Sequence, residues 1–216
     1  MAEIDVHRNP KGLRDRIAFA FVKVLRFFAD LFFRKRYGHR AVVLETVAAV
    51  PGMVAGLLQH LRAIRRMRDD QGWVKELLDE AENERMHLMT FIKVAEPSLV
   101  ERGLIMIAQA IFYNFYFFLY LFAPKTAHRV VGYFEEEAVI SYTHYLREID
   151  EGRLDNPPAP QIAIDYWHLP ANARLRDVVI AVREDEAGHR DRNHYFADAL
   201  IAGDDPTAEA AAQMAG

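Results

Sequence analysis

Apolar residues recur at helical spacing along most of the chain, and turn residues interrupt them at regular places. The pattern predicts helices over about 13–36, 39–68, 73–95, 98–123, 126–152 and 173–201. Tyr37-Gly38 and Asp69-Asp70-Gln71-Gly72 separate the first three, Pro97-Ser98 opens the fourth, and Pro124-Lys125 closes it. Pro51-Gly52 should bend the second helix, because proline removes one backbone hydrogen bond. Asn156-Pro157-Pro158-Ala159-Pro160 reads as a connector, and Asn172 is placed to cap the last helix, with Asp177 in its early turns. Residues 1–12 read as an extended arm around Asn9-Pro10-Lys11-Gly12, 13–201 as a single helical domain, and 202–216 as a disordered tail.

Two of these helices carry the same short pattern. Glu84-x-x-His87 and Glu186-x-x-His189 each place a carboxylate and an imidazole on one helical face. In the helix before each pair, a Glu sits among apolar residues. Glu45 lies within Val42 to Pro51, where an unpaired carboxylate would be costly. Glu135-Glu136-Glu137 lies among Val130, Val131, Tyr133, Phe134, Ala138, Val139 and Ile140, so at least one of the three must point inward. Two Glu-x-x-His turns plus one Glu from each of two further helices form the ligand set of a dinuclear carboxylate site in a four-helix bundle. Glu45, Ala49, Gly52 and Gly56 share a face, and the small residues allow a close helix contact.

The site changes how two other helices are read. Leu104 to Ala123 is twenty residues without a charge, long enough to span a bilayer. The helices on either side must both reach one metal centre, so a span is excluded. This helix should instead bury one face and turn the other to lipid. In the first helix Arg16, Lys23, Arg26, Asp30 and Arg34 form one narrow stripe around an otherwise apolar circumference, which suits a helix lying in a membrane interface. The expected architecture is an all-α, ferritin-like four-helix bundle with amphipathic helices on a membrane surface, monotopic.

Composition narrows the chemistry. The 216 residues are 51% hydrophobic, with a formal charge of −4, so no nucleic-acid footprint appears. The chain has no cysteine, which excludes disulfides, thiolate metal sites and thiol switches and leaves hard Glu and His ligands. Met1 to Asp5 show no pattern of a signal or transit peptide.

Four blocks in order resemble the alternative oxidases, the cyanide-insensitive di-iron quinol oxidases of mitochondria and some bacteria. They are Tyr37-Gly38-His39-Arg40 leading into Leu44 to Met53, Glu80 to Leu88, Gly132 to Ala138, and Arg183 to Arg190. The resemblance spans about Leu25 to Asp198, and the chain is identified as a member, with a bacterial source expected. It implies two iron ions per chain, cycling between ferrous and ferric, on Glu45, Glu84, His87, Glu135, Glu186 and His189, and so selects Glu135 from the triplet. It further implies Tyr142 as a redox-active tyrosine. Asn83, His128, Trp167 and Asp185 become hydrogen-bonding partners around the ligands, and Arg26, Asp30, Arg40, Leu44, Glu137, Ala138 and Ser141 border a quinol pocket. The implied activity is ubiquinol:O2 oxidoreduction to water in a respiratory chain, without proton pumping, by a lipid-bound homodimer. The implied place is the cytoplasmic face of a bacterial inner membrane, or the matrix side of the mitochondrial one. A di-iron hydroxylase of quinone biosynthesis and a ferritin-like iron-binding protein without turnover are the competing readings. Gly188 and Phe134 depart from the family's usual residues, and Gly188 costs its helix about 1 kcal/mol.

Overall fold

The computed structural model describes residues 7–33 and 36–203. The expectations for the first six residues of the arm, for Arg34, and for the tail beyond Gly203 lie outside the described residues. Seven helices are described: α1 Gly12–Phe33, α2 Tyr37–Arg66, α3 Trp73–Ala95, α4 Leu99–Phe122, α5 Pro124–Asp150, α6 Gln161–Trp167 and α7 Leu175–Ala202. Helix α2 packs on α3 and α5 packs on α7, and these four enclose the site; α4 lies on α2 and α5, and α1 lies on α5.

Local chemistry sets the boundaries. Ser98 caps α4, accepting from the Glu101 backbone N–H at 3.3 Å while Glu101 accepts from the Ser98 N–H at 2.9 Å. Pro124 occupies the first turn of α5, where its missing N–H costs nothing. Helix α2 begins at Tyr37 and runs unbroken through Pro51. At Gly52 the reason for glycine is proximity: a Cβ there would stand 2.4 Å from the Leu77 carbonyl oxygen on α3. That contact brings α2 against α3 beside Glu45.

The last helix starts later than the sequence suggests. Asn172 is not its cap. Ala159 N–H bonds the Ala173 carbonyl and Leu175 N–H bonds the Pro157 carbonyl, which holds 173–175 extended against the proline connector. Arg174 becomes the cap position, and its N–H bonds the Asp177 carboxylate at 2.8 Å. The short α6 is an addition to the expected six helices; seven residues give too little periodicity to read.

Helix α1 lies as its wide apolar face suggests, with part of its charged stripe meeting α5: Lys23 and Arg26 both bond Glu137, while Arg16 is exposed and Asp30 half-exposed. Ile17, Val24, Phe27, Phe28, Leu31 and Phe32 face outward. Helix α4 buries only Tyr116 and Tyr120 among its 24 residues, and exposes Met106, Ile107, Ile111, Phe118 and Phe122. Among the described residues two helices are long and apolar enough to cross a membrane, α2 and α4; that stretch is 61% buried in α2 and 17% buried in α4. Together α1 and α4 present an apolar face of a kind that soluble monomers rarely expose.

Candidate metal centre

The bundle brings all six predicted ligand residues inside. Glu45 comes from α2, Glu84 and His87 from α3, Glu135 from α5, and Glu186 and His189 from α7, and each is 5% exposed or less. His87 Nδ1 lies 3.3 Å from Glu45 Oε2, 3.3 Å from Glu84 Oε2 and 3.4 Å from Glu186 Oε1. His189 Nδ1 lies 2.6 Å from Glu84 Oε1 and 3.6 Å from Glu186 Oε2. One atom each from Glu45, Glu84, His87 and Glu186 can be chosen so that all four lie within 4.8 Å of one another. Glu135 stands beside Glu186.

These atoms converge without satisfying each other. His87 Nδ1, His189 Nδ1, both Glu84 oxygens, Glu45 Oε2 and Glu186 Oε2 are buried and have no hydrogen-bond partner. Orphaned polar atoms are expensive inside a protein, and six of them aimed at one void fit a cation. Hard oxygen and imidazole donors fit a first-row divalent metal. Without one, the crowding shows in the titration. Burial and then Glu186 and Glu84 push the Glu45 carboxyl well above its ordinary range, and the same causes raise Glu135. Glu84 goes the other way: burial opposes ionisation, but His189 and His87 outweigh it. Burial pulls His87 down, but Glu84 chiefly reverses this and holds it well above the usual value; His189 is raised to about 10 against the same burial. A divalent ion would replace the protons that this cluster holds.

The surroundings orient the ligands. Asp185 Oδ2 lies 3.2 Å from His87 Nε2 and also accepts from Asn83 Nδ2 at 2.9 Å and Trp167 Nε1 at 2.8 Å. Helix α6 is what delivers Trp167, whose ring stacks on His87 with centroids 5.8 Å apart. Tyr142 donates to Glu45 Oε1. His128 touches none of the six; it bonds Asn193 at 2.9 Å and Tyr120 at 3.1 Å.

The glutamate triplet fans out, as 100° per residue requires. Glu135 enters the cluster, Glu136 bonds His194 and the Arg8 N–H, and Glu137 bonds Lys23 and Arg26. Sequence reasoning missed several buried groups. Glu80 accepts from Asn193 Nδ2 at 2.9 Å; Glu80 and Asn193 lie four residues from Glu84 and His189, the helical spacing that would have found them. Arg129 is fully buried and bonded to Asp15, Asp198 and His194.

One apolar cavity of about 580 Å³ runs to the cluster. Its lining includes Arg26, Arg40 and Glu137 as well as Glu45, Glu135, Glu186 and Tyr142. Leu44, Ala138 and Ser141 line it as well; Asp30 does not, but bonds both Arg26 and Arg40. A family model described as alternative oxidase matches residues 2–198. The chain belongs to the alternative oxidase family. It is 62% identical over 196 residues to the ubiquinol oxidase, mitochondrial, of Batrachochytrium dendrobatidis, covering 91% of this chain and 62% of that protein. It is 59% identical to ubiquinol oxidase 1a, mitochondrial, of Oryza sativa subsp. japonica and 58% identical to that of Arabidopsis thaliana, again over 91% of this chain. The chain spans 59% and 55% of the length of those two relatives. Alternative oxidase membership accounts for the paired Glu-x-x-His turns and the buried Glu/His cluster that can hold metal.

Proposed function

We propose that the protein is a membrane-surface quinol:O2 oxidoreductase that reduces O2 to water with electrons from ubiquinol. The observation that carries this reading is the single cavity joining Arg26 and Arg40 to Glu45, Glu135 and Tyr142. Its lining is mostly apolar, enough for a quinone ring and tail, with a few charged groups among it. Glu45, Glu84, His87, Glu135, Glu186 and His189 would hold two iron ions, whose four positive charges match four carboxylates; bound there, the irons supply O2 binding and electron transfer. The remaining work falls to the chain itself. Arg40, buried and held by Asp30, offers guanidinium donors to a quinol oxygen. Arg26 holds Glu137 and Asp30, and Leu44, Ala138 and Ser141 shape the walls. Tyr142 relays an electron, and Glu45, which accepts its hydrogen bond, can take the phenolic proton.

The atoms balance within the pocket. Two quinols give four electrons and four protons, and one O2 takes all eight to form two waters. A protein attached to one leaflet offers no proton path across the bilayer, so turnover is not coupled to proton pumping. The outward apolar residues of α1 and α4 support attachment to one leaflet, from which a lipid-borne substrate enters. The mitochondrial names of the relatives support association with the mitochondrial inner membrane; the matrix side there, or the cytoplasmic face in a bacterium, is our own reading. Resemblance supports a homodimer.

The test is the fate of oxygen. With isotopically labelled O2 and a short-chain ubiquinol, all label should appear in water. Label in the quinone ring would replace this reading with a hydroxylase.

A further inference from the structure

Outside the lining of the quinol cavity, a second buried tyrosine is wired to a ligand helix. Tyr120 of α4 is 4% exposed. Its oxygen lies 3.0 Å from Gln59 Nε2 and 3.1 Å from His128 Nε2. The directions follow from the partners. Asn193 uses its amide N–H groups on Glu80 and on the His189 carbonyl, at 2.9 Å and 3.0 Å, so its oxygen must accept from His128 Nδ1. His128 is therefore the tautomer with a free lone pair on Nε2. Gln59 can only donate through its nitrogen, so the Tyr120 hydroxyl donates to His128. Burial keeps His128 neutral, with its pKa pushed down to about 4. The result is a phenol hydrogen-bonded to a neutral imidazole, joined by two further hydrogen bonds to the peptide of His189.

A second aromatic group bridges the same gap. Tyr116 is fully buried, its hydroxyl has no partner, and its ring centroid is 6.1 Å from that of Tyr120. It packs with Val131, one turn before Glu135 on α5. Trp73 stacks on His128 at 5.8 Å. Tyr116, Tyr120, His128 and Trp73 do not line the quinol cavity, although Tyr116 stacks on Phe112, which does.

We infer that Tyr120 and His128 form a second proton-coupled redox pair, which holds one oxidising equivalent when the centre is oxidised and the quinol cavity is empty. This rests on the di-iron oxidase reading. The step is balanced. One electron leaves Tyr120 and is taken up by the oxidised centre, through Tyr116 or the Asn193 hydrogen bonds. The phenolic proton moves to His128 Nε2, leaving a neutral tyrosyl radical and an imidazolium. The next quinol returns one electron through the centre, and the proton returns from His128 to the phenolate oxygen. Each quinol brings two electrons and O2 needs four, so two oxidising equivalents stand between one quinol and the next; Tyr120 would hold one of them away from the cavity lining.

The experiment uses iron-loaded protein, reduced, freed of quinol and mixed with O2, then frozen for electron paramagnetic resonance. Tyr142→Phe removes the tyrosine at the cavity. A tyrosyl signal is expected to persist in that variant and to be lost in Tyr142→Phe combined with Tyr120→Phe. In Tyr142→Phe combined with His128→Gln its gx value should shift, because gx reports the hydrogen bond to the radical oxygen. A signal in Tyr142→Phe that survives Tyr120→Phe overturns the proposal, as does the absence of any signal in Tyr142→Phe while the irons oxidise normally. Iron that loads but does not oxidise with O2 overturns the oxidase reading itself, and the inference with it.

Discussion

Asp185 lies 3.2 Å from Nε2 of His87, on the opposite side of the ring from the three carboxylates that crowd its Nδ1. One carboxylate outside the cluster thus fixes which nitrogen faces in. His87 donates from Nε2, and the Nδ1 lone pair is left for metal. Asp185→Asn keeps the size but cannot accept from His87, Asn83 and Trp167 together. Iron affinity should fall by about 10–100-fold, as for other residues that orient metal ligands. Titration of the apoprotein with ferrous iron checks this, and unchanged affinity would remove Asp185 from the account.

Arg40 is buried, lines the cavity and bonds the half-exposed Asp30. Arg40→Ala removes a charged donor worth roughly 1.5–3 kcal/mol, so kcat/KM for quinol should drop by about 10–100-fold. Iron content should not change, because Arg40 touches none of the six proposed ligands. A variant that loses iron would place Arg40 in the site's structure instead.

Membrane attachment is assigned to α1 and α4. Phe28→Glu together with Ile111→Glu puts two charges on that face, where both residues are now mostly exposed. Flotation with phospholipid vesicles should be lost while the protein stays folded and loads iron. Retained flotation would move the lipid contact elsewhere.

His128 makes stability depend on pH. Its folded pKa is about 4 and burial is the main cause; the unfolded value is about 6.5. The unfolded chain therefore binds more protons between these values, and stability falls as pH drops through that window. The expected loss is about 3 kcal/mol, complete near pH 4. Denaturant midpoints across the window should fall less steeply in His128→Gln than in the parent. Parallel curves would mean that His128 protonates without unfolding the protein.

The buried Glu/His cluster was legible because helical spacing is strict. Glu84-x-x-His87 and Glu186-x-x-His189 needed only a helix to be placed together, and Glu45 stood out as a charge in an apolar run. Glu135 was not separable from its two neighbours by spacing; resemblance chose it, and the other two proved to be engaged elsewhere. The outward apolar face of α1 was legible from its narrow charged stripe. That Lys23 and Arg26 in the stripe meet Glu137 was not, because only tertiary packing brings α5 there. Buried Arg129 was missed for the same reason, since Asp15 and Asp198 are remote in sequence. Tyr142 was legible as lying on the Glu135 face, but its partner is Glu45, across the bundle.

Oxygen uptake by iron-loaded protein in detergent, started with a short-chain quinol in the presence of cyanide, tests the central claim most directly. The account predicts fast uptake with water as product, and its loss in Glu84→Ala. No uptake from protein that still binds two irons per chain would contradict it.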